Sequence, residues 1–383
     1  MSRTAAPARR SRGLLTGYFL GLGVVMAVWG ARMPAVQQAA RLSTAELSLV
    51  LLAAALGMVV GLQTGGRLAR PERLPALLVC GAVSLAGCLA LLGQCHILTS
   101  LLMAALAFGI AHGVLDVAAN SAAVRCQNAY GRPIMSSLHA AYSLGALGGA
   151  GLAAITVHTT HRTLFLTTGL ILAVAALVAA PVTRMLTGTH QPPATTGQDE
   201  TGVSLPSAKL WLLGALAAAS LLGEGAAADW AAVHLHSLDA SAAVSAAAFA
   251  LYSAAMATGR LTGDRLTDAF GPAAVVRAGA VLAAIGLTTG VLASTTSVAL
   301  AGWALFGLGL STTVPCLISA AGVGGPGAVA TVAVTGYLGL LAGPALIGAI
   351  ASITTLSTAL LLPALLAATV AALAHRALEK PTP

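Results

Sequence analysis

Charged and aromatic side chains are scarce in this sequence. Asp, Glu, Lys and Arg together make up 8% of the 383 residues, and aromatic residues make up 4%. Soluble domains average about 25% charged residues. With a mean hydropathy of +0.90, the composition excludes a soluble globular protein and indicates an integral membrane protein.

Metal-binding and disulfide patterns are also missing. The cysteines show no paired metal spacing and mostly lie inside apolar runs, so we expect them to act as small hydrophobic residues; they are Cys80, Cys88, Cys95, Cys126 and Cys316. The formal net charge is +8. The arginines nevertheless lie between apolar runs and form no basic face with aromatic neighbours, so no nucleic acid is expected as a partner.

Enzyme signatures are absent from the sequence as well. It has no G-x-x-x-x-G-K-[ST] loop, so ATP-driven pumping is not supported. Nothing ties a serine, a histidine and a carboxylate into a triad. His234 and His236 have the spacing of a strand, and we expect them in an exposed loop. The sequence therefore predicts a protein that is not an enzyme and has no cofactor or metal.

Long apolar runs are what the sequence has in abundance. An α-helix needs about 20 apolar residues to cross a bilayer, and segments of that length recur along the chain. They predict an all-α integral membrane protein with twelve transmembrane helices in two six-helix bundles. The predicted spans are roughly 13–33, 45–66, 74–94, 98–122, 134–157, 163–183, 208–233, 241–262, 272–293, 296–320, 327–350 and 353–375.

The two sets of spans define the predicted domains. Residues 1–183 form the N-terminal bundle, 184–208 a cytoplasmic linker rich in Thr, Gly, Pro and Gln, and 209–383 the C-terminal bundle. With the N-terminus inside, sixteen Lys and Arg residues lie on the cytoplasmic side and three on the other. This positive-inside bias predicts a multi-pass protein of the cell inner membrane with both termini cytoplasmic. A monomer is expected.

Polar residues interrupt the fourth and fifth spans. His112, Asp116 and Asn120 share one helical face at intervals of four residues, and His139 lies on the next span beside two serines. An ionisable group at membrane depth costs about 2.5–3.5 kcal/mol, so it is a functional candidate. We expect Asp116 to carry a proton. The alternative is that these groups only form hydrogen bonds between helices.

The first and seventh spans supply the remaining charges. Glu224 and Asp229 lie five residues apart on the seventh span and point in different directions, with Trp230 beside them. We expect Glu224 to carry a proton and Arg32 to pair with Asp229 across the two halves as an outer gate. Alternatively, Arg32 and Asp229 each reach water separately. The tryptophans Trp29 and Trp230 suit either solute stacking or the interfacial belt.

Glycines and prolines in the later spans favour close helix packing and kinks. Small-residue surfaces of this kind need no ligand. They comprise Gly145, Gly148, Gly149 and Gly151 in one half and Gly336, Gly339, Gly343 and Gly348 in the other. Pro315 and Pro344 can kink their helices, which two rocking halves would exploit.

Several motifs resemble the major facilitator superfamily of secondary transporters, and within it a branch of bacterial permeases loosely related to the fucose:proton symporter. The motifs are W-x-x-R-x-P from Trp29, D-V-A-x-N from Asp116, G-R-P-I-M-S-S-x-H from Gly131, E-G-x-x-x-D-W from Glu224, G-R-L-x-G-D-R-L from Gly259, and G-Y-x-G-x-x-x-G-P-x-x-x-G from Gly336. The related segments GGRLARPERLP and GRLTGDRLTDAFG lie at matching places in the two halves, as in transporters with internal repeats. One departure is Arg70, where the family's first such loop usually carries an aspartate.

The resemblance implies alternating-access transport of a small solute coupled to protons. Uptake of a sugar-like polar solute is the leading hypothesis. Export of a drug-like compound or metabolite is the alternative, and a non-transporting membrane sensor is a remote one. The expected partners are that solute, protons and the bilayer. We expect proton coupling at Asp116 and Glu224, solute binding by Trp29, Asn120, His139 and Tyr142, and gating by Arg32, Asp229, Arg260, Asp264 and Asp268.

Overall fold

The structure, a computed structural model, describes residues 5–186 and 205–379. It is 88% helical, and no strand occurs in the described parts. Most of the predicted linker lies outside them. The chain divides into two compact units. The first comprises Met1–Ile134, Ala141–Gly202 and Gly324–Ala330, and the second Met135–Ala140, Val203–Val323 and Thr331–Pro383.

Within residues 5–186 the structure has seven α-helices. They are α1 (Ala5–Ala31), α2 (Met33–Ala39), α3 (Thr44–Leu68), α4 (Leu74–Leu92), α5 (Leu98–Tyr130), α6 (Met135–Ile155) and α7 (His161–Thr183). Hydrogen bonds from side chains start some of them: Ser43 and Glu46 form a capping box at α3, and Thr160 caps α7. The first turns of α6 belong to the second unit, whereas the rest of α6 belongs to the first.

Eight further α-helices lie within residues 205–379. They are α8 (Ser207–His236), α9 (Ala242–Phe270), α10 (Pro272–Leu292), α11 (Thr296–Leu310), α12 (Thr313–Ala321), α13 (Gly325–Ile353), α14 (Leu356–Ala359) and α15 (Leu361–Leu378). The first turns of α13 belong to the first unit. The first turns of α6 belong likewise to the second unit, and the predicted domain boundaries contain neither of these two exchanges.

Ten helical stretches in the described residues are long and apolar enough to cross a membrane. One of them, Thr296–Ile353, is 58 residues long and contains two of the predicted spans. The predicted eighth span corresponds to α9, whose second half carries Arg260, Asp264, Arg265 and Asp268. The twelve-helix, all-α membrane fold is therefore confirmed.

Glycines allow α3 and α5 to pack backbone against backbone. A Cβ atom on Gly109 would lie 2.0 Å from the Ala54 carbonyl oxygen, and one on Gly57 would lie 2.1 Å from that of Leu106. The predicted packing role is confirmed for Gly145 and Gly149, which approach α1, and for Gly339 and Gly343, which approach α8. It is wrong for Gly148 and Gly151, which have no neighbouring atom within 4 Å of the added Cβ.

Candidate functional site

In the first unit, Asp116 and Asn120 form a polar pair on α5. The Asn120 side-chain nitrogen donates to the Asp116 backbone carbonyl at 2.9 Å and to its carboxylate oxygen Oδ1 at 3.2 Å. These contacts follow from the four-residue spacing, which stacks the two side chains on one face. Asn120 is 2% exposed and Asp116 is half-buried. Within the described residues, no cation lies at ion-pair distance from Asp116.

His112 lies one turn earlier on α5 but faces α3. Its ring nitrogen Nδ1 is 3.1 Å from the Met58 sulfur, and the side chain is 3% exposed. This contact belongs to the close α3–α5 interface. It supports the helix-joining alternative for His112.

Trp29 is packed inside the first unit. Its ring centroid is 5.2 Å from that of Phe108 and 6.3 Å from that of Phe165, and the side chain is 5% exposed. This aromatic cluster joins α1, α5 and α7. Solute contact by Trp29 stays a prediction, as it does for Tyr142, which is half-buried on α6.

Arg32 binds the C-terminal end of α6. Its guanidinium donates to the Ala153 carbonyl at 3.0 Å, to the Thr156 carbonyl and to the Thr156 hydroxyl at 3.2 Å. A cation at this place complements the negative end of the helix dipole and satisfies carbonyls that the helix leaves open. The pairing of Arg32 with Asp229 stays a prediction.

In the second unit, Glu224 of α8 forms an ion pair with Arg260 of α9. The Arg260 nitrogen Nη2 lies 3.6 Å from Glu224 Oε1. The Arg260 side chain is 8% exposed and that of Glu224 29%. Both residues were expected from the sequence to be functional, but in separate roles, proton coupling and gating. The structure brings them together.

Tyr252 completes this cluster and was not predicted from the sequence. It is 1% exposed, and its hydroxyl has no hydrogen-bond partner within the described parts of the chain. It lies within electrostatic range of Glu224 and Arg260. His139, in the first turns of α6, also lies within electrostatic range of Arg260. The sequence could have indicated Tyr252 as a site residue, because Tyr252 and Arg260 are eight residues apart and share one face of α9.

Asp264 binds the N-terminal end of α6. Its carboxylate accepts hydrogen bonds from the backbone amides of Ser136 at 2.9 Å and Ser137 at 3.2 Å. The first amides of a helix are open donors at its positive end, so a carboxylate is stabilising there. The approach requires Gly263, because a Cβ there would lie 2.8 Å from the Ser136 side chain. Asp268, the next acidic residue along α9, is exposed.

The C-terminal end of α8 differs from the expectation for two histidines. His234 is not in an exposed loop: it lies in α8, is 0% exposed, and accepts a hydrogen bond from the Trp303 indole at 3.3 Å. His236 is exposed but also helical. The spacing of His234 and His236 wrongly indicated a strand. Leu235, between them, is buried as His234 is, whereas a strand would point the two side chains to opposite faces. Asp229 is exposed, and Trp230 packs on α13 with its indole 3.3 Å from the Pro344 carbonyl.

No group of three or more His, Cys, Asp or Glu side chains in the described residues could hold a metal ion. Charged groups instead lie singly or in pairs among apolar helices of both units. Since intramembrane charges of this kind mark solute or ion pathways, fold and site together define a membrane transporter.

The chain belongs to the Major Facilitator Superfamily, whose family model matches residues 14–321. It is 34% identical over 373 residues to the "uncharacterized transporter y4wD" of Sinorhizobium fredii, covering 95% of this chain and 97% of the relative. It is 30% identical over 349 residues to "membrane protein MosC" of Rhizobium meliloti, covering 88% and 83%. Proteins of this family are transporters and not enzymes.

Solved structures share the fold at lower identity. The E. coli fucose:proton symporter FucP has a TM-score of 0.75 at 19% identity, covering 96% of this chain and 98% of that one. The proton:xylose symporter XylE has a TM-score of 0.75 at 13% identity, covering 98% and 97%. At these identities the likeness concerns the fold alone.

Proposed function

We propose that this protein is a proton-coupled secondary transporter that moves a small polar solute by alternating access. The observation that carries the proposal is the ion pair between the half-buried Glu224 and the buried Arg260. A carboxylate paired with a buried cation links a proton to conformation, because protonation removes one charge and leaves the other without this counter-ion.

The two candidate proton carriers differ in what protonation would change. Asp116 is held by the Asn120 amide, which can bind a charged or a neutral carboxyl group. Its protonation breaks no ion pair. Protonation of Glu224 breaks its ion pair with Arg260. Of the two carboxylates, Glu224 is therefore the one at which a proton removes the counter-ion of a buried cation. We assign Glu224 the coupling role and Asp116 a supporting one.

Gating is proposed for the carboxylate of Asp264 at the start of α6. Two backbone amides hold it, and such contacts can form and break without desolvating a second side-chain charge. Arg32, Asp229 and Asp268 remain proposed gate residues. Asn120, His139, Trp29 and Tyr142 remain proposed solute contacts, with His139 favoured by its position near Arg260.

The solute, the direction and the membrane are further parts of the proposal. FucP is named as a fucose:proton symporter and XylE as a proton:xylose symporter. Uptake of a sugar-like solute together with protons agrees with these names. The low aromatic content, 4%, argues against a large apolar pocket. The distribution of Arg and Lys supports an inner-membrane protein with cytoplasmic termini, and we propose a monomer.

Solute-driven proton uptake by proteoliposomes tests the coupling role. Purified protein is reconstituted with an internal pH dye, and neutral and acidic sugar-like solutes, L-fucose and D-xylose among them, are added outside one at a time. We expect at least one of these solutes to cause internal acidification with the native chain and at least a tenfold smaller signal with Glu224→Gln, because the amide cannot carry a proton. Exchange of labelled for unlabelled solute should survive in that variant.

The matched control is Asp239→Asn, which makes the same chemical change at an exposed residue outside the spans. Asp239 has a φ of 57°, which asparagine tolerates. The control should acidify the vesicles as the native chain does. Undiminished proton uptake by Glu224→Gln would refute the coupling role of Glu224.

A further inference from the structure

The Tyr252 hydroxyl is a buried donor without an acceptor in the described part of the chain. Leaving such a group unsatisfied costs about 1–3 kcal/mol. Phenylalanine would fill the same space without that cost, since the ring already packs against Phe249 and Phe306 at 6.1 and 5.9 Å. The hydroxyl therefore indicates an acceptor that residues 5–186 and 205–379 do not supply.

Phe306 links Tyr252 to the segment of α8 that carries Glu224. The Phe306 ring packs against Tyr252, and a Cβ atom on Gly223, the residue before Glu224, would lie 2.7 Å from that ring. The unused donor lies within electrostatic range of both Glu224 and Arg260.

The ion pair itself is loose. Its nitrogen–oxygen distance of 3.6 Å exceeds the roughly 2.7–2.9 Å of a good charge-assisted hydrogen bond. Glu224 is also the more exposed partner, at 29% against 8% for Arg260. A guanidinium presents a planar fork of donors that fits a carboxylate from another molecule equally well. Glu224 therefore acts as a replaceable counter-ion.

We infer that the transported solute carries a carboxylate, which binds Arg260 and accepts a hydrogen bond from Tyr252 in place of Glu224. The inference rests on the proposed proton-coupled transport and specifies its solute class. A sugar acid would have both this carboxylate and the sugar-like character proposed for the solute.

The charges of this step balance. Before the solute binds, the Glu224 anion is the counter-ion of the Arg260 cation. One proton from the aqueous phase neutralises Glu224, and the solute carboxylate then takes its place beside Arg260. The entry of either one alone would change the net charge of the buried pair, which is strongly unfavourable. One proton and one carboxylate therefore move together, and transport carries no net charge.

Matched pairs of probes test the solute class. Acetate, L-lactate, D-gluconate and D-galacturonate are compared with acetamide, propane-1,2-diol, D-glucitol and D-galactose, using the full-length protein. We expect at least one acid, and no neutral partner, to raise the unfolding temperature of the purified protein. The same acid should acidify proteoliposomes equally with and without an imposed potassium-diffusion potential.

Two variants locate the site. Tyr252→Phe removes only the hydroxyl and should require about tenfold more acid for the same thermal shift. Arg260→Gln should lose the shift. The control Arg277→Gln, at an exposed position on α10, should respond as the native chain does.

The outcomes separate this inference from the proposed function. Proton-coupled transport of neutral solutes overturns the carboxylate site. So does the result that no acid raises the unfolding temperature of the native chain more than that of Arg260→Gln. Acid binding that depends on Arg260 and Tyr252 but drives no proton uptake keeps the carboxylate site and contradicts proton coupling.

Discussion

Arg32 and Arg260 are the buried arginines of the described chain, and they are neutralised in different ways. Arg32 is held by backbone carbonyls and a threonine hydroxyl at the end of α6, groups that do not titrate. Arg260 forms an ion pair with the carboxylate of Glu224. The proposed proton coupling therefore concerns Arg260, whereas the proposed gating role of Arg32 involves no carboxylate among these hydrogen-bond partners.

Arg32→Ala should destabilise the protein. The substitution removes charged hydrogen bonds, each worth about 1.5–3 kcal/mol, to the end of α6. We expect a lower unfolding temperature of the purified protein, whereas Arg10→Ala, at an exposed position on α1, should leave it unchanged. An unfolding temperature for Arg32→Ala equal to that of the native chain would show that these bonds contribute nothing.

The sequence predicted contacts between site residues only where both residues lie on the same helix. Asp116 and Asn120 were placed together by their four-residue spacing. Glu224 and Arg260 were each singled out, but their pairing was not predicted, because spacing along the chain says nothing of contacts between α8 and α9. Tyr252 was overlooked because tyrosine is unremarkable in an apolar helix until its hydroxyl is seen to be buried and unsatisfied.

At the scale of helices, close packing depends on small residues at specific places. Gly109 lets α5 touch the backbone of α3, and Gly263 lets α9 bring Asp264 to the start of α6. Sequence alone predicted that glycine stripes pack helices. It could not tell Gly149, which contacts α1, from Gly148, which contacts no neighbouring atom, because both lie in the same stripe.

Gly109→Ala and Gly148→Ala should have opposite effects on stability. The methyl group at Gly109 would overlap the Ala54 carbonyl, and overpacking of this kind costs about 1–3 kcal/mol. At Gly148 the methyl group meets nothing, and alanine is favoured over glycine in a helix by about 1 kcal/mol. Thermal unfolding of the two purified variants checks this prediction, and equal unfolding temperatures would contradict the close α3–α5 packing.

Asp264→Asn should impair transport without abolishing folding. Asparagine keeps a carbonyl acceptor for the Ser136 and Ser137 amides but loses the charge that favours the positive end of α6. We expect a several-fold lower rate of solute exchange in proteoliposomes, and a smaller effect for Asp268→Asn, whose side chain is exposed. Equal rates for native and Asp264→Asn protein would remove Asp264 from the gate.

At the scale of the whole molecule, apolar run length predicted the twelve-span fold, because each span must satisfy its backbone hydrogen bonds within a helix. Helix ends were predicted less well. α1 begins at Ala5 and α5 continues to Tyr130, beyond the apolar runs, where polar residues extend a helix once it has formed. The assignment of the first turns of α6 and α13 to the opposite units has no counterpart in the pattern of hydrophobicity.

Membrane topology can be checked by thiol labelling in a cysteine-free background. The charge distribution places His158 outside and Arg132 inside. In intact cells, a membrane-impermeant maleimide should label His158→Cys but not Arg132→Cys, and permeabilised cells should label both. Labelling of Arg132→Cys alone in intact cells would reverse the proposed orientation.

Accumulation of solute under an imposed proton gradient is the most direct test of the proposed proton-coupled transport. Proteoliposomes with an alkaline interior are given a labelled solute that the screen has identified. We predict accumulation above the outside concentration, followed by loss when a protonophore together with a potassium ionophore collapses the gradient. Equilibration to the same level with and without the gradient would contradict proton-coupled transport.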